Sequence, residues 1–296
     1  MTKKKIIIII MSSIFGLILL TAIIVGIIVL VNMNKPIAKI EDETPPIYET
    51  DKKEITSDVK LPTNYSASDA MAYAMWRMEN INFAISTTGE SKASFVTQKV
   101  NAKRTVIDNE AIITTVSTSN FKKIAEEKFF SKDQRVLISK ASSINDEDAT
   151  AVFSKEKPKE YSKEEYLKMF GWMPFQLTGY IVSKDTYLNE PTMVKNQDDT
   201  YTISMDLNPN SNYAPYWYRY EILYNSSSTI IPEFQSIHID FTIDNSYRVL
   251  KAEYNEVYKV EVFFKTTTKT HVIDSFTYDN ISFDKERYDF YKSNLK

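Results

Sequence analysis

The stretch SIHIDFTIDNSYRVLKAEYNEVYKVEVFF, residues 236–264, decides the fold. Ile237, Ile239, Phe241 and Ile243 fall on one side of an extended chain, with Ser236, His238, Asp240 and Thr242 on the other, because successive side chains of a strand point to opposite faces. Asn245-Ser246 supplies turn residues. The alternation then resumes, with Leu250, Ala252, Tyr254, Tyr258, Val260, Val262 and Phe264 set against Lys251, Glu253, Asn255, Lys259 and Glu261. Antiparallel strands that cover a core with one face and meet water with the other have this pattern. The second run, read as one strand of about 17 residues, exceeds the usual 5–6, so the sheet must curl or bulge.

Working outward, Tyr201, Ile203, Met205 and Leu207 alternate with Thr202, Ser204 and Asp206. Phe83, Ile85 and Thr87 lead into Gly89-Glu90, read as a turn, and β-rich segments continue from 93 to 153, with 121–130 assigned to strand. Three helices interrupt the pattern. Ser66 and Asp69 approximate a capping box before Ala67, Ala70, Met71, Ala74, Met75, Met78 and Ile81, whose three-and-four spacing predicts a helix over 66–82. Ser162 and Glu165 open a short helix that ends at Gly171, and residues 284–294 form a terminal helix. The fold class is α+β: after an N-terminal transmembrane helix, one large curved antiparallel sheet, half-barrel-like, carries helices on its concave side.

The transmembrane assignment rests on Lys3, Lys4 and Lys5 followed by an uncharged run from Ile6 to Val31. At about 1.5 Å per residue that run is longer than the ~30 Å hydrocarbon core. It also exceeds the ~7–15 apolar residues of a cleaved signal peptide. Residues 1–5 are therefore read as a cytoplasmic tail, 6–32 as an uncleaved signal anchor with its N-terminus inside, 33–64 as a disordered extracytoplasmic stalk with Pro36, Pro45, Pro46 and Pro62, and 65–296 as one extracytoplasmic domain. The expected localisation is a bacterial cell membrane, single-pass, with the C-terminal domain outside.

Composition removes several function classes. The 296 residues hold no cysteine, two histidines and five glycines, which leaves no thiol chemistry and no Gly-rich phosphate loop. A net charge of −3 and only six arginines offer no basic footprint for nucleic acid. His238 and His271 lack a matching serine motif, and Asp146-Glu147-Asp148 and Asp198-Asp199 lack the spacing of a calcium loop. No enzymatic role, cofactor or metal is expected.

Two oddities remain. Glu256 sits on the apolar phase of its strand between Tyr254 and Tyr258, and Asp274 similarly interrupts Val272, Phe276 and Tyr278. An inward carboxylate must be paired, hydrogen-bonded or protonated, unless a β-bulge swings it outward. Aromatic residues also crowd residues 213–224, where Trp217, Tyr220 and Tyr224 have helical spacing, shortly after Trp172. Such rings serve either as core or as a lid over a groove. Glu256, Asp274, Trp172, Trp217, Tyr220 and Tyr224 are the candidate ligand-binding residues.

The strand pattern over 65–283 resembles the half-barrel of lipoprotein carriers and lipid-binding lipoproteins, the LolA-like fold, although the lipobox cysteine of many such proteins is absent and a membrane helix replaces it. The resemblance implies an apolar ligand groove. The expected function is a membrane-anchored, non-enzymatic binding or carrier module for an apolar or amphipathic envelope ligand, such as a lipid. The alternative is a structural or interaction subunit of an envelope complex that uses a protein partner and no small-molecule ligand.

Overall fold

The computed structural model describes residues 35–40 and 65–295, apart from 95, 120–122, 146–149, 211–212 and 263. The expected tail, the membrane anchor over 6–32 and most of the stalk lie outside the described residues. Among the described residues no helix is long and apolar enough to cross a membrane. The elements are α1 (Ala67–Glu79), β1 (Phe83–Ala93), β2 (Val96–Ile107), β3 (Glu110–Ser119), β4 (Lys123–Phe130), β5 (Val136–Asn145), β6 (Thr150–Phe153), β7 (Lys159–Tyr161), α2 (Lys163–Phe170), β8 (Thr192–Lys195), β9 (Tyr201–Leu207), α3 (Tyr218–Ser226), β10 (Glu233–Ile243), β11 (Val249–Glu261), β12 (Lys265–Thr277) and α4 (Lys285–Asn294).

The strands form one open antiparallel sheet in the order β6-β5-β4-β3-β2-β1-β12-β11-β10-β9-β8, with β7 pairing β5. Two meanders therefore meet at the middle, where β1 and β12 pair without a break from Ala84↔Thr277 to Ala93↔Thr268. Between the meanders the chain crosses one face of the sheet. Tyr166 of α2 packs edge-on against Phe130 of β4, Tyr180 lies over Tyr254 of β11, and Tyr187 bridges to Leu207 of β9.

The alternation in residues 236–264 behaves as its pattern dictates, with two adjustments. β11 is 13 residues long, and the β10–β11 register shifts between Phe234 and Ser236 and again between Thr242 and Ile243. The second shift places Val249, rather than Leu250, under the core. The register is continuous between these points, with Ile237 opposite Glu256, so no bulge turns Glu256 outward. Gly89 is not a turn: β1 runs straight through it, paired with Val100 and Val272. A Cβ at Gly89 would stand 2.9 Å from Val272 Cγ2, so the missing side chain lets the neighbouring valine lean over the strand.

Ser66 and Ser162 cap α1 and α2, the latter through a complete capping box. α1 presents Ala67, Ala70, Met71, Ala74 and Met78 to the sheet, and these join Phe83, Ile85, Val106, Ile243, Val249 and Phe276 in the main core. α2 ends at Gly171 with φ +77, where a Cβ would lie 2.2 Å from the carbonyl oxygen of Trp217, so only glycine allows α2 and the start of α3 to close on each other.

Not every helix lies on that face, contrary to the expected arrangement. α4 packs on the opposite face, where Ile112, Phe129 and Leu137 surround Tyr291. Tyr291 stacks on Phe129 at 5.4 Å. The outward positions of β3 and β4 also carry Glu110 and Glu127, both buried. Lys292 reaches Glu110 at 2.9 Å and Arg287 reaches Glu127 at 2.6 Å. Buried carboxylates demand partners, and α4 brings them. Of the expected stalk, residues 35–40 lie against the domain: the Ala38 amide donates to the Ser228 carbonyl at 3.0 Å, and Lys35 pairs with Glu261 at 2.9 Å.

Replacing Tyr291 by Ala removes a fully buried ring and its stacking contact with Phe129. Urea unfolding should show a loss of about 3 kcal/mol or more with an unchanged denaturant slope.

Candidate functional site

The inward side chains of β1 run Phe83, Ile85, Thr87, Gly89 and Ser91, opposite Val106, Arg104, Ala102, Val100 and Gln98 of β2. The first rungs are bulky and meet α1. The later rungs are small or polar and leave space beneath the elements that cover them. A cavity of about 220 Å³ results, roofed by the crossover around Trp172–Tyr180 and by Tyr218, Glu221 and Asn225 of α3. A second hollow of about 320 Å³ shares Ser91, Gln98, Ser117, Ile124 and Asn225 with the first and extends outward past Tyr258, Val260, Val262 and Phe264. Together they form a groove with a charged inner end and an apolar outer end.

Arg104 fastens the roof to the floor. Its guanidinium donates to the carbonyls of Pro174 at 3.2 Å, Gln176 at 3.0 Å and Leu177 at 3.1 Å, and lies 5.2 Å from the Trp172 ring. Burial lowers its pKa, and Asp274 opposes that effect. As an arginine it stays charged, so the three carbonyls answer a requirement that an apolar wall could not. The Trp172 indole N–H then donates to Glu221 Oε2 at 2.8 Å, which ties the roof to α3.

Three more buried ionisable side chains line the inner end: Lys128, Glu126 and Asp274. The Lys128 ammonium sits 3.7 Å over the Phe170 ring and 3.9 Å from Glu126 Oε2. Burial lowers its pKa, while Glu126 and Glu221 favour its charge. Glu126 Oε1 accepts from the Tyr224 hydroxyl at 2.9 Å. Asp274, 8% exposed, accepts from the Thr87 hydroxyl at 2.6 Å. Burial raises its pKa against the pull of Arg104 and Thr87.

Glu256 differs from these. It is 3% exposed and its Oε2 meets no donor among the described residues; the Tyr180 hydroxyl also closes no hydrogen bond. Burial pushes its pKa up to about 8; the nearby Tyr180 hydroxyl acts downward and the Glu221 charge upward. Around it stand aromatic rings. Tyr180 and Tyr218 have centroids 5.0 Å apart, Tyr180 and Tyr254 6.3 Å, and Phe234 and Tyr258 5.2 Å.

Of the sequence candidates, Glu256, Asp274 and Trp172 stand on the cavity wall. Trp217, Tyr220 and Tyr224 do not. α3 begins only at Tyr218, and its groove-facing stripe is Tyr218, Glu221 and Asn225; Trp217 and Tyr220 pack with Tyr216 instead, and Tyr224 covers Phe170 at 4.3 Å. Arg104, Glu126, Lys128, Tyr180 and Glu221 line the cavity as well, outside the expected set. A signal existed for the first three, since each interrupts an inward apolar phase as Glu256 does. The two histidines are outward: His238 meets Asp206 at 2.8 Å, and His271 meets Glu253 at 2.8 Å.

The Glu256 environment has a measurable consequence. Below its unfolded pKa both states are neutral and nothing is lost. Above that value the unfolded chain releases a proton that the folded chain keeps until about pH 8. Stability attributable to this group therefore falls as pH rises from ~4.5 to ~8 and then levels. Glu256→Gln should remove that slope, becoming more stable than the native chain by roughly 3–6 kcal/mol at pH 8 relative to their difference at pH 4. Urea unfolding of both proteins at the two pH values checks it.

No protein-family model matches the chain, and no curated protein sequence is similar to it. Among solved structures, a DUF1329 family protein from Desulfovibrio piger is similar over 74% of this chain and 94% of its own, at 8% identity and a TM-score of 0.28. MucB, solved in complex with MucA(peri), is similar over 71% of this chain and 93% of its own, at 8% identity and a TM-score of 0.11. These are weak likenesses, and the functional reading rests on the groove itself.

Proposed function

We propose that this chain is a membrane-anchored, extracytoplasmic and non-enzymatic binding or carrier module for an amphipathic envelope ligand, with its open sheet curled as a half-barrel around the ligand. The observation that carries the reading is the groove, polar within and apolar at its outer end, which fits a molecule with a headgroup and a hydrocarbon tail.

The docking of residues 35–40 supports an exchange with the bilayer. Val31 ends the apolar run and Lys35 is held at Glu261, next to Val260 and Val262 of the groove's outer end. Four residues reach at most about 14 Å, so the anchor keeps that apolar end close to the membrane surface. Phe264, 41% exposed, stands at the same rim. The spacing of Glu256 and Asp274 does not suit a hydrolytic pair. Glu256 lies opposite Thr270, four residues along β12 from Asp274, which separates the two by about 13 Å along the strand. Paired acids of glycosidases stand about 5–9.5 Å apart.

Exposed Val194 on edge strand β8, and Leu188 just before it, favour the second reading, assembly through a sheet edge. Native mass spectrometry of the full chain released from its own membrane separates the two. The carrier reading expects a co-purifying amphiphile mass, lost when Ala102→Trp fills the cavity floor. A ligand-free mass for the native chain overturns it.

A further inference from the structure

We infer that the inner end of the groove binds a cationic ammonium headgroup, which pairs with Glu256 among the rings of Tyr180, Tyr218, Tyr254 and Tyr258. The inference deepens the binding-module reading and rests on it. Its first support is the distribution of charge. The two cations lining the cavity are answered within it: Arg104 feels Asp274, and Lys128 feels Glu126. Glu221 holds the Trp172 indole. Glu256 is left over, with no cationic side chain among the described residues at ion-pair distance and with Oε2 unpartnered. The lining therefore carries surplus acid where a ligand's charge would arrive.

The second support is the kind of wall. Every element packed about Glu256 contributes a neutral or acidic side chain: Tyr180 from the crossover, Tyr218 and Glu221 from α3, Tyr254 and Tyr258 from β11 itself, Ile237 from β10, and Thr270 from β12. Aromatic faces attract ammonium groups and give nothing to sulfate or phosphate. Phe234 contacts both Tyr218, at 6.2 Å, and Tyr258, at 5.2 Å, and Tyr258 lines the second hollow as well, where an alkyl chain finds Val260 and Val262. A cation seated there replaces the proton that burial keeps on Glu256 near neutral pH. Binding therefore releases that proton to solvent.

Isothermal titration calorimetry of the full chain in lipid nanodiscs, with empty nanodiscs subtracted, tests this with hexyltrimethylammonium, hexyl sulfate and hexyl glucoside. The ammonium probe is expected to bind best and to release close to one proton near pH 6.5, read from the dependence of heat on the buffer's ionisation enthalpy. Glu256→Gln should weaken it by about 30-fold, while Glu253→Gln, on the outward face of the same strand, leaves it unchanged. Equal affinity for all three probes overturns the cationic assignment and leaves the groove reading standing. Full affinity in Glu256→Gln does the same, because glutamine preserves a neutral donor but no charge. Absence of binding by every probe overturns both.

Discussion

The pairing of β1 with β12 is the constraint on which the rest of the structure depends. It joins residues 175 to 193 positions apart in sequence, so its loop-closure entropy must be met before either meander gains from the other. The unbroken register also decides what shares a face. Because Thr87 faces Asp274 and Ser91 faces Thr270, the inward rows of both meanders merge into one surface. A slip of one residue would turn Asp274 and Thr87 to opposite faces and dissolve the groove. The two exposed ends of the sheet, β6 and β8, are a consequence, since both meanders grow outward from the same seam.

Burying charge on that surface requires compensation, and the compensation shapes the architecture. Arg104 organises the crossover because three backbone carbonyls of an irregular segment and one buried guanidinium satisfy each other. The same logic operates on the outer face, where Glu110 and Glu127 recruit α4 through Lys292 and Arg287. Both cases place a charge in a strand and its partner in a distant segment, so docking is specific as well as tight. Glu256 is the exception to this rule: no cation among the described residues answers its burial, which raises the free energy of the folded chain wherever the unfolded chain would ionise.

Legibility followed physical range. The strands over 236–264, the caps at Ser66 and Ser162 and the αL stop at Gly171 were readable because each depends on residues within a turn or a two-residue period. The inward placement of Glu256 and Asp274 was equally local, being a matter of phase. What was not readable depended on partners far along the chain. Nothing near Gly89 says that Val272 will lean over it, so a glycine that permits close approach looks like a turn. Nothing near Lys285–Asn294 says which face of the sheet holds Glu110 and Glu127. The α3 stripe was misjudged by one residue: aromatic spacing suggested Trp217, Tyr220 and Tyr224, but the helix starts at Tyr218, and its face is set by Glu221 meeting Trp172.

The groove itself follows from side-chain size along rows whose backbone is regular. On β1 the inward sequence Phe83, Ile85, Thr87, Gly89, Ser91 loses volume step by step, and on β3 Ile113 gives way to Thr115 and Ser117. Interiors close to crystal-like density when large apolar side chains face each other. Here the sheet continues but the filling stops, and α3 spans the gap from above. Several of these polar side chains pair across the strands, as Ser91 does with Thr270 at 2.9 Å and Gln98 with Ser117 at 2.6 Å. Tyr180, Tyr218, Tyr254 and Tyr258 then supply rigid walls with few rotamers to freeze. A floor of small polar groups beneath an aromatic wall keeps space open where large apolar side chains would have closed it. The charges unmatched within that space, rather than its volume, determine what it can hold.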